Sequence, residues 1–145
     1  MLAKTDWAHL IPHQGAMALL DAVVTWDDAT IHAITDVSTL RNHPLRSENG
    51  LHAVHLAEHG AQAIAVHGAL LARLQGIDVE RSGGRLVSLR DVQIDVEYID
   101  DSRGRLDVYA ERLYADDSGA QYAFRILQAA RLLVSGRAAV LYTQD

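Results

Sequence analysis

The sequence has no cysteine, so a disulfide framework, a thiolate nucleophile and a zinc knuckle are all excluded, and any catalysis must run on oxygen and nitrogen groups. Proline occurs only twice in 145 residues, which leaves long stretches free to form uninterrupted helix and strand. Basic residues are outnumbered by acidic ones, 13 against 19, and the net charge of -6 repels rather than attracts a phosphate backbone; nucleic-acid binding is disfavoured. The first nine residues carry Asp6 and His9 and lack a long apolar run, so neither a signal peptide nor a membrane anchor is expected, and the cysteine-free chain fits a reducing cytoplasm. What is present is a 49% hydrophobic fraction, enough to close one buried core over residues 1–145 as a single domain.

The apolar run from Met17 to Trp26, the break at Asp27-Asp28 and the alternation from Thr30 to Val37 predict a β-hairpin. A polar loop from Thr39 to Gly50 follows, rich in turn-forming residues. Between Leu51 and about Gln75 there is no proline and no alternation, and alanines sit among Leu, Val, Ile and Gly: this is a helix, apolar on nearly every side and so expected to be surrounded by protein. Its His and charged residues exclude a membrane span. Beyond a linker at Asp78 to Gly84, alternating runs at 86–99, 106–114, 122–127 and 132–142 read as strands. Hairpin turns are expected at Asp100–Gly104 and Asp116–Gly119, and a bulge or bend at Ser135–Arg137. Two strands, a long helix and then three or four antiparallel strands make an α+β chain, most compactly a sheet curled around one helix.

Glu58 is the anomaly of that helix. A carboxylate midway along an apolar helix suffers desolvation unless it is paired or neutral, and desolvation raises its pKa toward the range of a general acid. At about 100° per residue, Glu58, Gln62, Ala65 and His55 fall within an arc of roughly 80°, which makes one polar stripe of acid, amide and imidazole. The alternative is a structural Glu bonded to Gln62 or to the sheet. His43, held out of the helical region by Pro44, is either a loop imidazole that can act as a base near neutral pH or a solvated loop histidine. His67, about 180° from Glu58, reads as a packed core histidine. The run His55-Leu56-Ala57-Glu58-His59 matches the H-x-x-E-H pattern of zinc peptidases, but a third ligand and room for a peptide cleft are wanting, so no metal is expected. Gly60 and Gly68 give the helix small surfaces for close approach by the sheet or by a slender substrate chain. Arg73, Arg81, Arg85 and Arg90 form a basic spot, either a solvated face or a docking point for an acidic partner.

Leu10-Ile11-Pro12-His13, Met17 to Asp21, the Pro-containing His loop and Glu58-His59-Gly60-Ala61-Gln62-Ala63 together resemble the hotdog-fold 3-hydroxyacyl-[acyl-carrier-protein] dehydratases. Through Pro44-Leu45-Arg46 and Ala65-Val66-His67-Gly68-Ala69-Leu70 the chain is most similar to the small dehydratases of aryl-polyene and xanthomonadin-type pigment clusters. The resemblance implies an antiparallel sheet wrapped round the helix, a homodimer or heteromer whose sheets join edge to edge, and a site between subunits. It also implies an acyl thioester substrate carried by an acyl carrier protein, with no cofactor beyond the phosphopantetheine that the substrate brings. By the same resemblance Glu58 protonates the departing hydroxyl, His43 removes the α-proton, Gln62 supports the acid one turn later, and N–H groups of the Gly50 to Val54 helix start face the thioester oxygen. His13 matches a structural motif of the family. The loop here reads His43-Pro44-Leu45-Arg46 where the family has His-Phe-Pro-Gly, which leaves His13, His55 and His59 as alternative bases. A hotdog acyl thioesterase and a non-catalytic carrier-binding subunit are the rival functions.

Overall fold

The computed structural model describes residues 1–11, 15–76 and 84–142, with the backbone alone at 16 and 84–87. Seven strands form one antiparallel sheet: β1 (Leu2–Ala3), β2 (Ala22–Trp26), β3 (Thr30–Thr35), β4 (Gly84–Ile94), β5 (Leu106–Ala115), β6 (Gly119–Gln128) and β7 (Arg131–Tyr142), in the order β1-β2-β3-β5-β6-β7-β4. Among the described residues two α-helices interrupt them, α1 (Val37–Arg41) and α2 (Leu56–Leu74), and α2 packs on β3, β5, β6 and β7. The core lies between α2 and the inner face of the sheet, where Leu56, Ile64, Val66 and Leu70 meet Ile31, Val108, Phe124, Ile126 and Val134. Each large side chain buried there contributes on the order of 1.5–3 kcal/mol. The predicted architecture, a sheet wrapped around one helix, is the observed one.

The hairpin of β2 and β3 turns at Asp27, whose carboxylate accepts from the N–H groups of Ala29 and Thr30 and from the Thr30 hydroxyl. Its first strand begins at Ala22 rather than near Met17, because the Leu19 N–H and the Met17 carbonyl are bonded to the Gln62 side chain instead of to a neighbouring strand. The loop expected from Thr39 onward contains the end of α1, anchored by the fully buried Leu40. Helix α2 starts at Leu56 rather than Leu51: His52 Nδ1 accepts from the Val54 N–H, and a 3-10 turn over Ala53–His55 leads into it.

Asp100–Gly104 is a turn but not a hairpin. It belongs to the crossover from β4 to β5, which lie apart in the sheet, and Gln128 ties it down by donating to the carbonyls of Asp100 and Gly104. Asp116–Gly119 is the hairpin turn expected, closed by Asp116 on the N–H groups of Ser118 and Gly119. The expected irregularity at Ser135–Arg137 sits instead in the neighbouring strand, where the register with β7 shifts between Arg90 and Gln93 and Asp91 has φ of 54°. Gly136 serves packing, since a Cβ there would stand 2.8 Å from the Phe124 ring.

The same ring is met from the other side. A Cβ on Gly60 of α2 would stand 2.5 Å from Phe124, so the buried phenyl fills a slot between two glycines and has nowhere to retreat. Gly60→Ala is therefore expected to destabilise the fold by about 1–3 kcal/mol despite alanine's higher helix propensity. Urea denaturation checks this; a stabilised variant would show the slot to be compliant. The β6–β7 hairpin turns through Ala129 and Ala130, with φ of 49° and 64°, in a two-residue loop that favours Asn-Gly. Ala130→Gly is expected to stabilise by about 1 kcal/mol, read as a rise of a few degrees in Tm; a fall would show that the alanine carries no strain.

Candidate active site

The loop after α1 is folded so that His43 points inward. The His43 N–H donates to the Leu40 carbonyl and the Arg46 N–H to the His43 carbonyl, while the Arg46 guanidinium donates to Leu40 O at 2.9 and 3.3 Å. The His43 ring is 4% exposed and its Nδ1 accepts from the Leu45 N–H at 3.1 Å. Its Nε2 lies 3.0 Å from Nε2 of the fully buried His59, whose Nδ1 lies 3.0 Å from Thr35 Oγ1; that hydroxyl is 2.9 Å from the Leu19 carbonyl. Burial is the main force on both imidazoles. It pushes His43 down to about 4, with the charges of His55 and Arg46 acting in the same direction, and His59 down to about 3, with His43 adding to it. Both rings are therefore neutral at pH 7.

Glu58 corrects an expectation. It is exposed, because the sheet covers α2 on one side and leaves a stripe of Val54, Glu58, Ala61, Ala65 and Gly68 exposed or half-buried. The enclosure expected of this carboxylate is not found in the single chain. Gln62 faces the other way and is fully buried: Oε1 accepts from the Leu19 N–H at 2.8 Å and Nε2 donates to the Met17 carbonyl at 2.7 Å, so the amide supports the segment before β2. The shared stripe of acid and amide read from helical spacing is thus split between the covered and the open side of α2.

The N–H groups of Gly50, Ala53 and Val54 donate in the single chain to Ser47 O, Glu97 O and His52 Nδ1. Gly50 has φ of 109°, a conformation that requires glycine. His55 is half-buried just before α2, near enough to act electrostatically on His43. His13, Arg81 and the side chain of Arg85 lie outside the described residues. Arg73 and Arg90 are exposed, and Arg73 Nη1 donates to the Asp6 carbonyl.

His67 is the packed core histidine predicted. It bonds the Tyr122 hydroxyl at 2.6 Å and the Asp27 carbonyl at 2.8 Å, and burial lowers its pKa. His32 lies 2.8 Å from Asp107 and stacks on Tyr109. The H-x-x-E-H spacing does not assemble a ligand set, since His59 has both nitrogens engaged inside the fold while Glu58 faces out; no group of three or more potential ligands converges among the described residues. Nor is any helix there long and apolar enough to cross a membrane.

The chain matches the sequence model of the ApeP dehydratase family, described as ApeP-like, over residues 5–145. It belongs to that family. Among solved structures, the ApeP-like chain is similar to one described as the dehydratase heterocomplex ApeI:P from Xenorhabdus doucetiae. The TM-score is 0.80 at 24% identity, over 95% of this chain and 91% of that one. It is also similar to a thioesterase family protein from Silicibacter pomeroyi, with TM-score 0.68 and 13% identity over 98% and 96% of the two chains. A mutant thioesterase from Staphylococcus aureus subsp. aureus Mu50 gives 0.66 and 16% over 84% and 92%. These structural likenesses establish the hotdog fold, and the family match makes this ApeP-like chain a dehydratase. No curated protein matches it.

The part of the site that sequence reasoning missed is Thr35, together with the inward role of His59. His59 drew notice only as a spare base or ligand, and Thr35 is an ordinary strand residue 24 positions away. Only the fold brings the end of β3 against the first turn of α2.

Proposed function

We propose that the chain eliminates water from a 3-hydroxyacyl thioester to give the trans-2-enoyl thioester, with Glu58 and His43 as acid and base. The observation that carries this is Glu58 itself, a carboxylate on the uncovered stripe of small residues of α2, in a chain of a dehydratase family. His43 takes the α-proton, the C–H electron pair forms the new double bond, the Cβ–O bond breaks, and the hydroxyl leaves as water with the proton of Glu58. No cofactor is needed, because each step moves only protons and one leaving group.

A second subunit laid over the stripe would take water away from the carboxyl and favour the protonated form that an acid catalyst needs. The edge strand β4 supports such an assembly: Leu89, Val92 and Ile94 are exposed on it, and a neighbouring sheet joined edge to edge would cover them. The similar Xenorhabdus structure is described as a heterocomplex, which favours a different hotdog chain as that cover. The substrate would arrive as a phosphopantetheine thioester on an acyl carrier protein, slender enough to lie along Ala61 and Ala65. The resting His43 must release the Leu45 N–H to act, and the opening returns its basicity toward that of a free imidazole.

The test is incubation with a carrier-bound 3-hydroxyacyl thioester, following enoyl absorbance and free thiol together. Enoyl product without thiol is the expected result. Thiol release without enoyl product selects a thioesterase and overturns the proposal.

A further inference from the structure

Five groups between the His43 loop and the end of the segment before β2 are joined by four hydrogen bonds whose direction is set at both ends. The Leu45 N–H can only donate, so His43 Nδ1 is the acceptor and the neutral ring carries its proton on Nε2. That proton can only point at His59 Nε2, which must then be unprotonated, leaving the His59 proton on Nδ1 to face Thr35 Oγ1. The Thr35 hydroxyl in turn donates to the Leu19 carbonyl, which can only accept. Reversing any one bond would set two donors or two acceptors face to face, within a site where water has no access to His59.

We infer that His59 is a positioning residue of the dehydration site: locked by Thr35 and Leu19, it holds His43 as the Nε2–H tautomer and so keeps the lone pair on Nδ1. The inference rests on the reading of His43 as the base. An imidazole base needs its second nitrogen to donate to a fixed acceptor, so that the proton is kept off the working nitrogen and the ring cannot turn. Here that acceptor is another imidazole rather than a carboxylate. The chain ends on a backbone carbonyl, which has no proton to pass on, so it orients and does not relay. With His59 fully buried, it acts on the reaction only through His43. Leu45 holds the working lone pair in the resting state and is the bond that substrate must displace.

The first test needs no variant. 15N NMR of histidine-labelled wild-type protein at pH 7 should show His43 as the Nε2–H and His59 as the Nδ1–H tautomer. The opposite tautomer of His43 would overturn the inference. In the enoyl assay, run with whatever second subunit activity requires, His59→Leu should lower kcat roughly 10- to 100-fold with KM little changed. His59→Gln, which retains an acceptor and a donor, should recover most of that loss. If His59→Leu keeps wild-type kcat while His43→Ala and Glu58→Gln are inactive, the positioning role fails and the functional reading stands. If His43→Ala and Glu58→Gln are both fully active, the functional reading fails and takes this role with it.

Discussion

Glu58→Gln is expected to lower kcat for enoyl formation by about 10²- to 10⁴-fold, the range that a positioned general acid contributes. Glutamine keeps the length and hydrogen-bonding capacity of the side chain and removes only the transferable proton. Because Glu58 is exposed and lies outside the core, the same substitution should change stability by no more than about 0.5 kcal/mol, so the loss is one of chemistry. Turnover assays beside urea denaturation separate the two quantities. Full activity in the variant, or activity lost in step with folding, would remove Glu58 from the role of acid.

The second large effect is on acid stability. His43 and His59 are neutral in the folded protein with pKa values of about 4 and about 3, whereas each returns to about 6.5 when the chain unfolds. Between those limits the unfolded chain binds more protons, so stability rises with pH through the window and is lost as pH falls from about 6.5 toward 4. The His43 drop alone corresponds to about 3 kcal/mol, and a proton on each ring would set like charges across a 3.0 Å contact. His67, held down by burial between Tyr122 and Asp27, adds to the same slope. His59→Gln removes one titrating member of the pair, and its stability should depend less steeply on pH in this window than that of the wild type. Parallel pH profiles for the two proteins would show that the acid sensitivity arises elsewhere.

Strands and helix were legible because their signals are local. Period-two alternation marked the runs that became β3, β5, β6 and β7, and the absence of proline with alanine-rich composition marked α2. Where the reading failed, the missing information was tertiary. Helical spacing places Glu58 and Gln62 about 40° apart, but not which of them the sheet covers, and the edge of the sheet falls between them. The turn residues of Asp100–Gly104 announced a reversal without saying whether the next strand pairs with the last one or crosses the sheet. Two alanines in left-handed conformation carry no turn signal at all, and their geometry follows from the register of Gln128 with Arg131. At the candidate site the individual residues His43, His59 and Glu58 were all visible. The bond from Thr35 to His59 was not, since it depends on β3 and α2 being packed together.

The destination of solvent oxygen separates elimination from hydrolysis. Dehydration is reversible, so the protein incubated in H₂¹⁸O with a carrier-bound 3-hydroxyacyl thioester should place ¹⁸O in the C3 hydroxyl of the intact thioester, read by mass spectrometry of the carrier. Label found in a released carboxylate, with none at C3, would contradict elimination and make the chain a hydrolase.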